Sequence, residues 1–291
     1  MSPNESRQTR AEQREATRQK AREMREASAR KERNRSLFIR LGVVAGLLII
    51  VAIISTAIIT GTAKNASGKG TPANMIYDNG IKIGTNLEAF TADQTPAPNP
   101  NAGVGSNGQV PNIQVYLDYQ CPICQIFEAG NSDQIRSLVS KGAATVEIHP
   151  LSFLDHSSPN AYSSRAENAA LCVATYSPNQ FFDFNALLFK HQNAENTAGP
   201  ENSELIQRTT EVKVSNASKI ADCINSKAYG KWISDTTATV INPKYTVKGT
   251  NITVGGTPVV VVNGQQYSPA TVAELGDPAR FAQFFQQASK K

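Results

Sequence analysis

Residues 110–124 read Val-Pro-Asn-Ile-Gln-Val-Tyr-Leu-Asp-Tyr-Gln-Cys-Pro-Ile-Cys. Ile113, Val115 and Leu117 recur at every second position, so Val110–Tyr119 has the period of a β-strand. The strand runs straight into Cys121-Pro122-Ile123-Cys124. Gln125–Ser140 then shows helical spacing through Ile126, Phe127, Ile135 and Leu138, and Ala144–Leu151 is a second strand candidate. Strand, Cys-x-x-Cys, helix, strand is a βαβ unit with its two cysteines at the start of the helix.

That position dictates chemistry. A thiolate at a helix N-terminus faces unpaired backbone N–H groups and the positive end of the helix dipole, which lower its pKa from about 8.5. Each unit of lowering is worth about 1.4 kcal/mol towards the reduced form. Cys121 is expected to be the exposed, low-pKa sulfur, and Cys124, one turn further along, the shielded one that closes the ring or releases a mixed disulfide. Pro122 suits the first helical turn, where its missing N–H costs little. A structural zinc site needs two more soft ligands at compatible spacing. His149, His156 and His191 form no such motif, and Cys172 and Cys223 stand alone. A purely structural bridge of such short span closes almost no chain and stabilises little. Redox activity of Cys121 and Cys124 is the reading that remains, with no metal or organic cofactor implied.

On the N-terminal side, residues 91–109 are rich in Pro, Gly and Asn and predict a long exposed loop. Ile76–Ile83 alternates around Asn79-Gly80 and predicts a small hairpin. Residues 62–74 have the composition of a flexible stalk. From Leu41 to Ala63 there are 23 consecutive residues without a charge. At about 1.5 Å per residue, roughly 20 of them span a hydrocarbon core of about 30 Å, so 41–61 reads as a transmembrane signal anchor. No Cys lies near its end, which argues against a lipid-anchored lipoprotein. Residues 1–40 form a basic tail with 12 Lys/Arg against 6 Glu. The positive-inside bias puts this tail in the cytoplasm and everything after the anchor outside the cell membrane. The other 251 residues carry 17 basic and 18 acidic side chains, so the main domain has no net attraction for nucleic acid.

On the C-terminal side, 157–240 holds no convincing strand and breaks into helical stretches near 158–176, 179–192, 201–213, 216–227 and 229–240. Val254–Asn263 is a β-branched strand candidate, followed by a turn at Asn263-Gly264, a short strand to Tyr267 and a helix over Pro278–Ser289. The fold class is α/β with a helical block in the middle. In an exported chain, Cys172 and Cys223 are the natural second pair. Their bridge closes about 50 residues and contributes about 4 kcal/mol on the chain-entropy model.

With these motifs in place, residues 75–291 resemble the DsbA-like thiol-disulfide oxidoreductases of the thioredoxin superfamily. The resemblance rests on Asp118-Tyr119-Gln120-Cys121-Pro122-Ile123-Cys124, on the helical insertion containing Ala161–Ala174, and on Gly256-Thr257-Pro258-Val259-Val260 before the final hairpin and helix. It implies a thioredoxin-like fold with an inserted α-helical domain, and a cis bond at Thr257-Pro258, with Pro258 against the active-site sulfurs and Thr257 contacting them and substrate backbone. A membrane-anchored, outward-facing member is similar to the Gram-positive, actinobacterial arrangement. The best-known DsbA has a His between its cysteines. Here Pro122-Ile123 supplies no charge, and the loop at 91–109 is longer than the fold needs.

Asp118 is a candidate proton acceptor or tuning group for the pair; as a strand-end residue bonded to backbone it has an equally good structural reading. His149, His156, Trp232 and the phenylalanines at 181, 182, 184 and 189 read as ordinary core or loop residues. The function that follows is introduction of disulfides into exported proteins with free thiols. The resemblance supplies a quinone-linked membrane partner for reoxidation. A reductase or isomerase on the same fold reverses the electron flow. A non-enzymatic binding or chaperone module would keep its function when Cys121 is replaced by Ser.

Overall fold

The computed structural model describes residues 70–93 and 110–290. The basic tail, the predicted membrane segment 41–61 and most of the loop at 91–109 lie outside the described residues. Among those described, no helix is long and apolar enough to cross a membrane.

A five-stranded sheet has the order β1-β3-β2-β4-β5, formed by β1 (Ile81–Ile83), β2 (Asn112–Leu117), β3 (Thr145–Pro150), β4 (Val259–Val262) and β5 (Gln265–Gln266). β2 and β3 are parallel, joined through α1 (Pro122–Ser140), which is the βαβ unit read from the sequence. β4 pairs antiparallel with β2, with Val115 opposite Val260. The sheet is buried on both faces, and this explains its composition. Val260 and Val262 join the larger core with Ile113, Val115, Leu117 and Ile148, whereas Val259 and Val261 pack on the other face with Tyr116, Leu151, Val240 and Val247. A strand buried on both sides reads as an unbroken β-branched run.

Between β3 and β4 lie α2 (Tyr162–Tyr176), α3 (Phe181–Lys190), α4 (Asn202–Glu211), α5 (Ala217–Asn225) and α6 (Gly230–Val240), matching the five predicted helical stretches. α2 is the hub of this block. Its Ala166, Ala169, Ala170 and Ala174 are buried and small, so neighbours approach closely. Cys172 on α2 is bonded to Cys223 on α5, with Cα atoms 5.9 Å apart. The four phenylalanines of α3 are buried, and Trp232 is half-buried against the same core. After β5 come the short α7 (Val272–Leu275), absent from the sequence reading, and α8 (Pro278–Ala288). Gly130 on α1 lets that helix meet the turn after α7, because a Cβ there would lie 1.9 Å from the Gly276 carbonyl oxygen.

Three expectations need correction. The Asn79-Gly80 hairpin is only a turn: Tyr77 and Gly80 exchange backbone hydrogen bonds around Asp78 and Asn79, both left-handed, and Ile81–Ile83 pairs with β3 instead. A lone hairpin is marginal in water. Docking on β3 buries Ile81 and Ile83 completely and sets Lys82 Nζ 3.0 Å from Glu147 Oε1. Residues 70–74, assigned to the stalk by composition, are tied to the helical block: Gly70 N donates to Ala228 O at 2.9 Å and Asn74 Nδ2 to Ala174 O at 2.8 Å. Only Val259–Val262 of the predicted strand Val254–Asn263 joins the sheet, because the backbone bends through Gly255, Gly256 and Thr257 before it.

Candidate active site

β2 ends at Leu117, and the chain turns through Asp118–Gln120, with the Cys121 N–H donating to the Asp118 carbonyl at 3.0 Å. Cys121 then stands at the N-cap of α1 in extended conformation and Pro122 takes the first helical position. Both Cys121 and Cys124 are free thiols. The expectation that Cys121 is exposed is corrected: it is 5% exposed and Cys124 fully buried. Cys121 is roofed by the Thr257 loop, and its thiol donates to the Thr257 carbonyl at 3.3 Å. The Thr257-Pro258 bond is cis, as the resemblance implies. Pro122 is exposed and Ile123 half-buried, so the dipeptide forms an apolar rim beside the sulfur.

The two thiols are split in opposite directions. A hydrogen bond from Cys124, with further ones from Thr257 and the backbone N–H groups of Cys124 and Ile123, outweighs burial and lowers the Cys121 pKa to about 7. Burial, the Cys121 hydrogen bond and the Cys121 charge push the Cys124 thiol well above its ordinary value. One sulfur is a ready thiolate near neutral pH, and the other keeps its proton.

Asp118 fits both of its readings. It is fully buried; its Oδ1 accepts from Gln120 N at 2.8 Å and Ser163 Oγ at 2.7 Å, and its Oδ2 from Leu154 N at 2.8 Å. Burial, reinforced by the Cys121 charge, pushes its carboxyl up to about 7 despite those bonds. The structure thus brings Cys121, Cys124, Thr257 with Pro258, and Asp118 into one site. His149, by contrast, lies buried and stacked on Tyr116, 4.2 Å between ring centroids, beside Glu147.

Several polar residues around the site were not marked by any sequence pattern. Tyr119 Oη donates to Asn185 Oδ1 at 3.0 Å, Gln120 Nε2 to Ser157 O at 3.2 Å, Gln125 Nε2 to Phe189 O at 3.1 Å, and Gln192 Nε2 to the carbonyls of Tyr119 and Cys121, both at 3.0 Å. Glu128, one turn beyond Cys124 on α1, is held up to about 6 by burial. Glu167, one turn beyond Ser163 on α2, is fully buried without a hydrogen bond, and burial drives its carboxyl well above the usual range. Side-chain amides in loops and single carboxyls in helices carry no periodic signal, so only the tertiary structure reveals them. Among the described residues no cluster of His, Cys, Asp and Glu is arranged to hold a metal ion.

A thioredoxin family model matches residues 104–277, more than half of the chain. The chain belongs to the thioredoxin family. Among solved structures of this fold, the disulfide bond oxidoreductase DsbG of Mycobacterium tuberculosis, in reduced form, is 29% identical with a TM-score of 0.55, over 74% of this chain and 89% of that one. Oxidised DsbA of the same organism is also 29% identical with a TM-score of 0.55, over 73% and 93% of the two chains. BdbD of Bacillus subtilis, at 16% identity and a TM-score of 0.51 over 78% and 99%, shares the fold. No curated protein matches. The neighbours are of the DsbA type to which the sequence resemblance pointed.

Proposed function

We propose that this thioredoxin-family chain is a membrane-anchored thiol-disulfide oxidoreductase that introduces disulfides into exported proteins through Cys121 and Cys124. One observation carries the reading: two free thiols one turn apart at the N-terminus of α1, Cys121 at the N-cap and Cys124 buried behind it, with the cis Thr257-Pro258 loop against the Cys121 sulfur. In the oxidised enzyme a substrate thiolate attacks Cys121 Sγ and expels Cys124, which takes up a proton. A second substrate thiolate then attacks the substrate sulfur of the mixed disulfide and expels Cys121 as its stabilised thiolate. The substrate loses two electrons and two protons, and the Cys121/Cys124 pair gains two electrons. A quinone-linked membrane protein would accept those electrons and restore the disulfide. Pro122, Ile123 and Thr257 would line the strip on which an extended substrate lies, with Pro258 holding Thr257 over the sulfur and Asp118 tuning the pair. The 41–61 segment would hold the catalytic domain on the outer face of the membrane.

Equilibration with glutathione tests the direction of electron flow. A reduction potential near about −120 mV, as for DsbA, marks a disulfide donor, and one near about −270 mV, as for thioredoxin, marks a reductase and overturns the oxidase reading. Release of the protein from the membrane fraction on removing residues 1–61, with the full chain retained there, tests the anchor.

A further inference from the structure

α3 ends at Lys190, and His191 N and Gln192 N close its last turn on Leu187 O at 3.1 Å and Phe189 O at 3.2 Å. From this anchored turn the half-buried Gln192 side chain reaches the start of α1. Its Nε2 donates to the Tyr119 and Cys121 carbonyls at 3.0 Å each, which commits both amide hydrogens. Gln125, in the first turn of α1, reaches back to Phe189 O at 3.1 Å. Two side-chain amides therefore cross the junction in opposite directions.

What Gln192 grips matters more than the number of bonds. The peptide between Cys121 and Pro122 has no N–H, because its nitrogen belongs to proline. Its carbonyl is the only polar handle by which that plane is oriented, and it is held from the helix side by Gln125 N at 3.1 Å and from the insertion side by Gln192. The peptide between Tyr119 and Gln120 is held by Asp118 Oδ1 on its N–H and by Gln192 on its carbonyl. Both planes set where the Cys121 sulfur sits relative to the Ile123 and Cys124 N–H groups that stabilise it.

We propose that Gln192 is a positioning residue of the redox site: by fixing the Tyr119–Gln120 and Cys121–Pro122 peptide planes it sets the reactivity of the Cys121 sulfur towards thiols. The inference rests on the reading of Cys121 as the exchanging cysteine. It also gives the helical insertion a part in the chemistry, since the residue that aims Cys121 comes from the insertion and not from the βαβ unit.

The test uses the full-length protein and two variants of nearly unchanged side-chain volume. Gln192→Met removes both donors, and Gln192→Glu turns an acceptor towards the two carbonyls. For each, the pH dependence of Cys121 alkylation, the equilibrium with glutathione and the thermal midpoint are measured. In Gln192→Met the half-reactive pH of Cys121 is expected to rise by about half a unit or more, and the glutathione equilibrium to move threefold or more towards the disulfide form. Gln192→Glu should move both in the same direction and further. A merely structural role lowers the thermal midpoint and leaves the other two readouts in place, and that result in both variants overturns the proposal. If the wild type itself shows no half-reaction near neutral pH and no exchange with glutathione, the redox reading of the site fails, which is distinguishable from failure of Gln192 alone. Should Gln192→Met not fold, the Gln192→Glu comparison decides by the same criteria.

Discussion

Replacing Asp118 by Asn should change how stability depends on pH and produce a crossing of two curves. The carboxyl is fully buried and titrates near 7 in the folded chain against an ordinary 3.8. The folded state therefore holds a proton that the unfolded chain has released. Its contribution is fully present below about pH 4, falls as pH rises, and is gone above about pH 7. Three units at about 1.4 kcal/mol each come to about 4 kcal/mol across that window. Asn has no such proton, so its curve lacks this slope. It carries a constant cost instead: an amide oxygen can still accept from Gln120 N and Ser163 Oγ, but its NH2 then faces the Leu154 N–H that Oδ2 now satisfies. One buried donor left without a partner costs about 1–3 kcal/mol. Asp118→Asn is expected to be less stable than the wild type near pH 4 and more stable near pH 8.

The assay is urea unfolding of the oxidised form of both proteins from pH 4 to 8, followed by circular dichroism and by the fluorescence of Trp232, the only tryptophan. Oxidation removes the thiols from the titration, and burial, the largest cause of the Asp118 shift, remains. Every other group is common to the two proteins, so the difference between the curves isolates residue 118. A difference that stays constant within about 0.5 kcal/mol over the whole range would refute the reasoning, since the expected swing is about 4 kcal/mol.

Four further outcomes are expected. Cys121→Ser should abolish thiol-disulfide exchange, measured by insulin reduction or oxidation of a reduced peptide; retained function in a complementation assay would instead support a binding module. Cys124→Ala removes the hydrogen bond that contributes most to the lowered Cys121 pKa; a bond to a charged group is worth about 1.5–3 kcal/mol, so the half-reactive pH of Cys121 should rise by about one to two units in an alkylation series. The double variant Cys172→Ala/Cys223→Ala should lose about 2–5 kcal/mol in denaturant unfolding while keeping the Cys121 alkylation profile, because the bridge joins α2 to α5 within the insertion. Gly130→Ala should cost about 3 kcal/mol or more by overpacking, since its Cβ meets the backbone of Gly276 at 1.9 Å, and a thermal midpoint within 2 °C of the wild type would contradict that contact.

The parts of this molecule that were legible in its sequence are those in which burial repeats with a period. α1 and the helices α3 to α6 each bury a regular stripe, and β4 announces itself as Val259–Val262 because both of its faces are covered. Partner choice has no such signature. The Asn79-Gly80 turn forms as its residues demand, yet Ile81–Ile83 pairs with β3, where Ile148 and Glu147 offer more than a free hairpin does. Residues 70–74 look like linker by composition and are nonetheless held by Ala174 and Ala228. The cysteines, Asp118 and Thr257-Pro258 were found because motif and resemblance mark them, whereas Gln192, Asn185 and Glu167 are single polar residues that acquire meaning only from the tertiary structure.

That division bears on how a site with an uncharged dipeptide lowers a thiol pKa at all. Pro122-Ile123 brings no cation, and burial of Cys121 works against its thiolate. What remains is a set of oriented donors: the Cys124 thiol, the Thr257 side chain and the N–H groups of Cys124 and Ile123. Oriented donors stabilise a charge only while the backbone that carries them is held, and here it is held by the Gln192 amide reaching from the end of α3, outside the βαβ unit, and by the Asp118 carboxyl within the turn itself. A charged residue between the cysteines would act at longer range and tolerate small displacements of the turn. A neutral dipeptide makes the thiol depend on geometry. The helical insertion is accordingly part of what tunes Cys121 in this chain, and substitutions at its contact with the active-site turn should be felt at the sulfur before they are felt in overall stability.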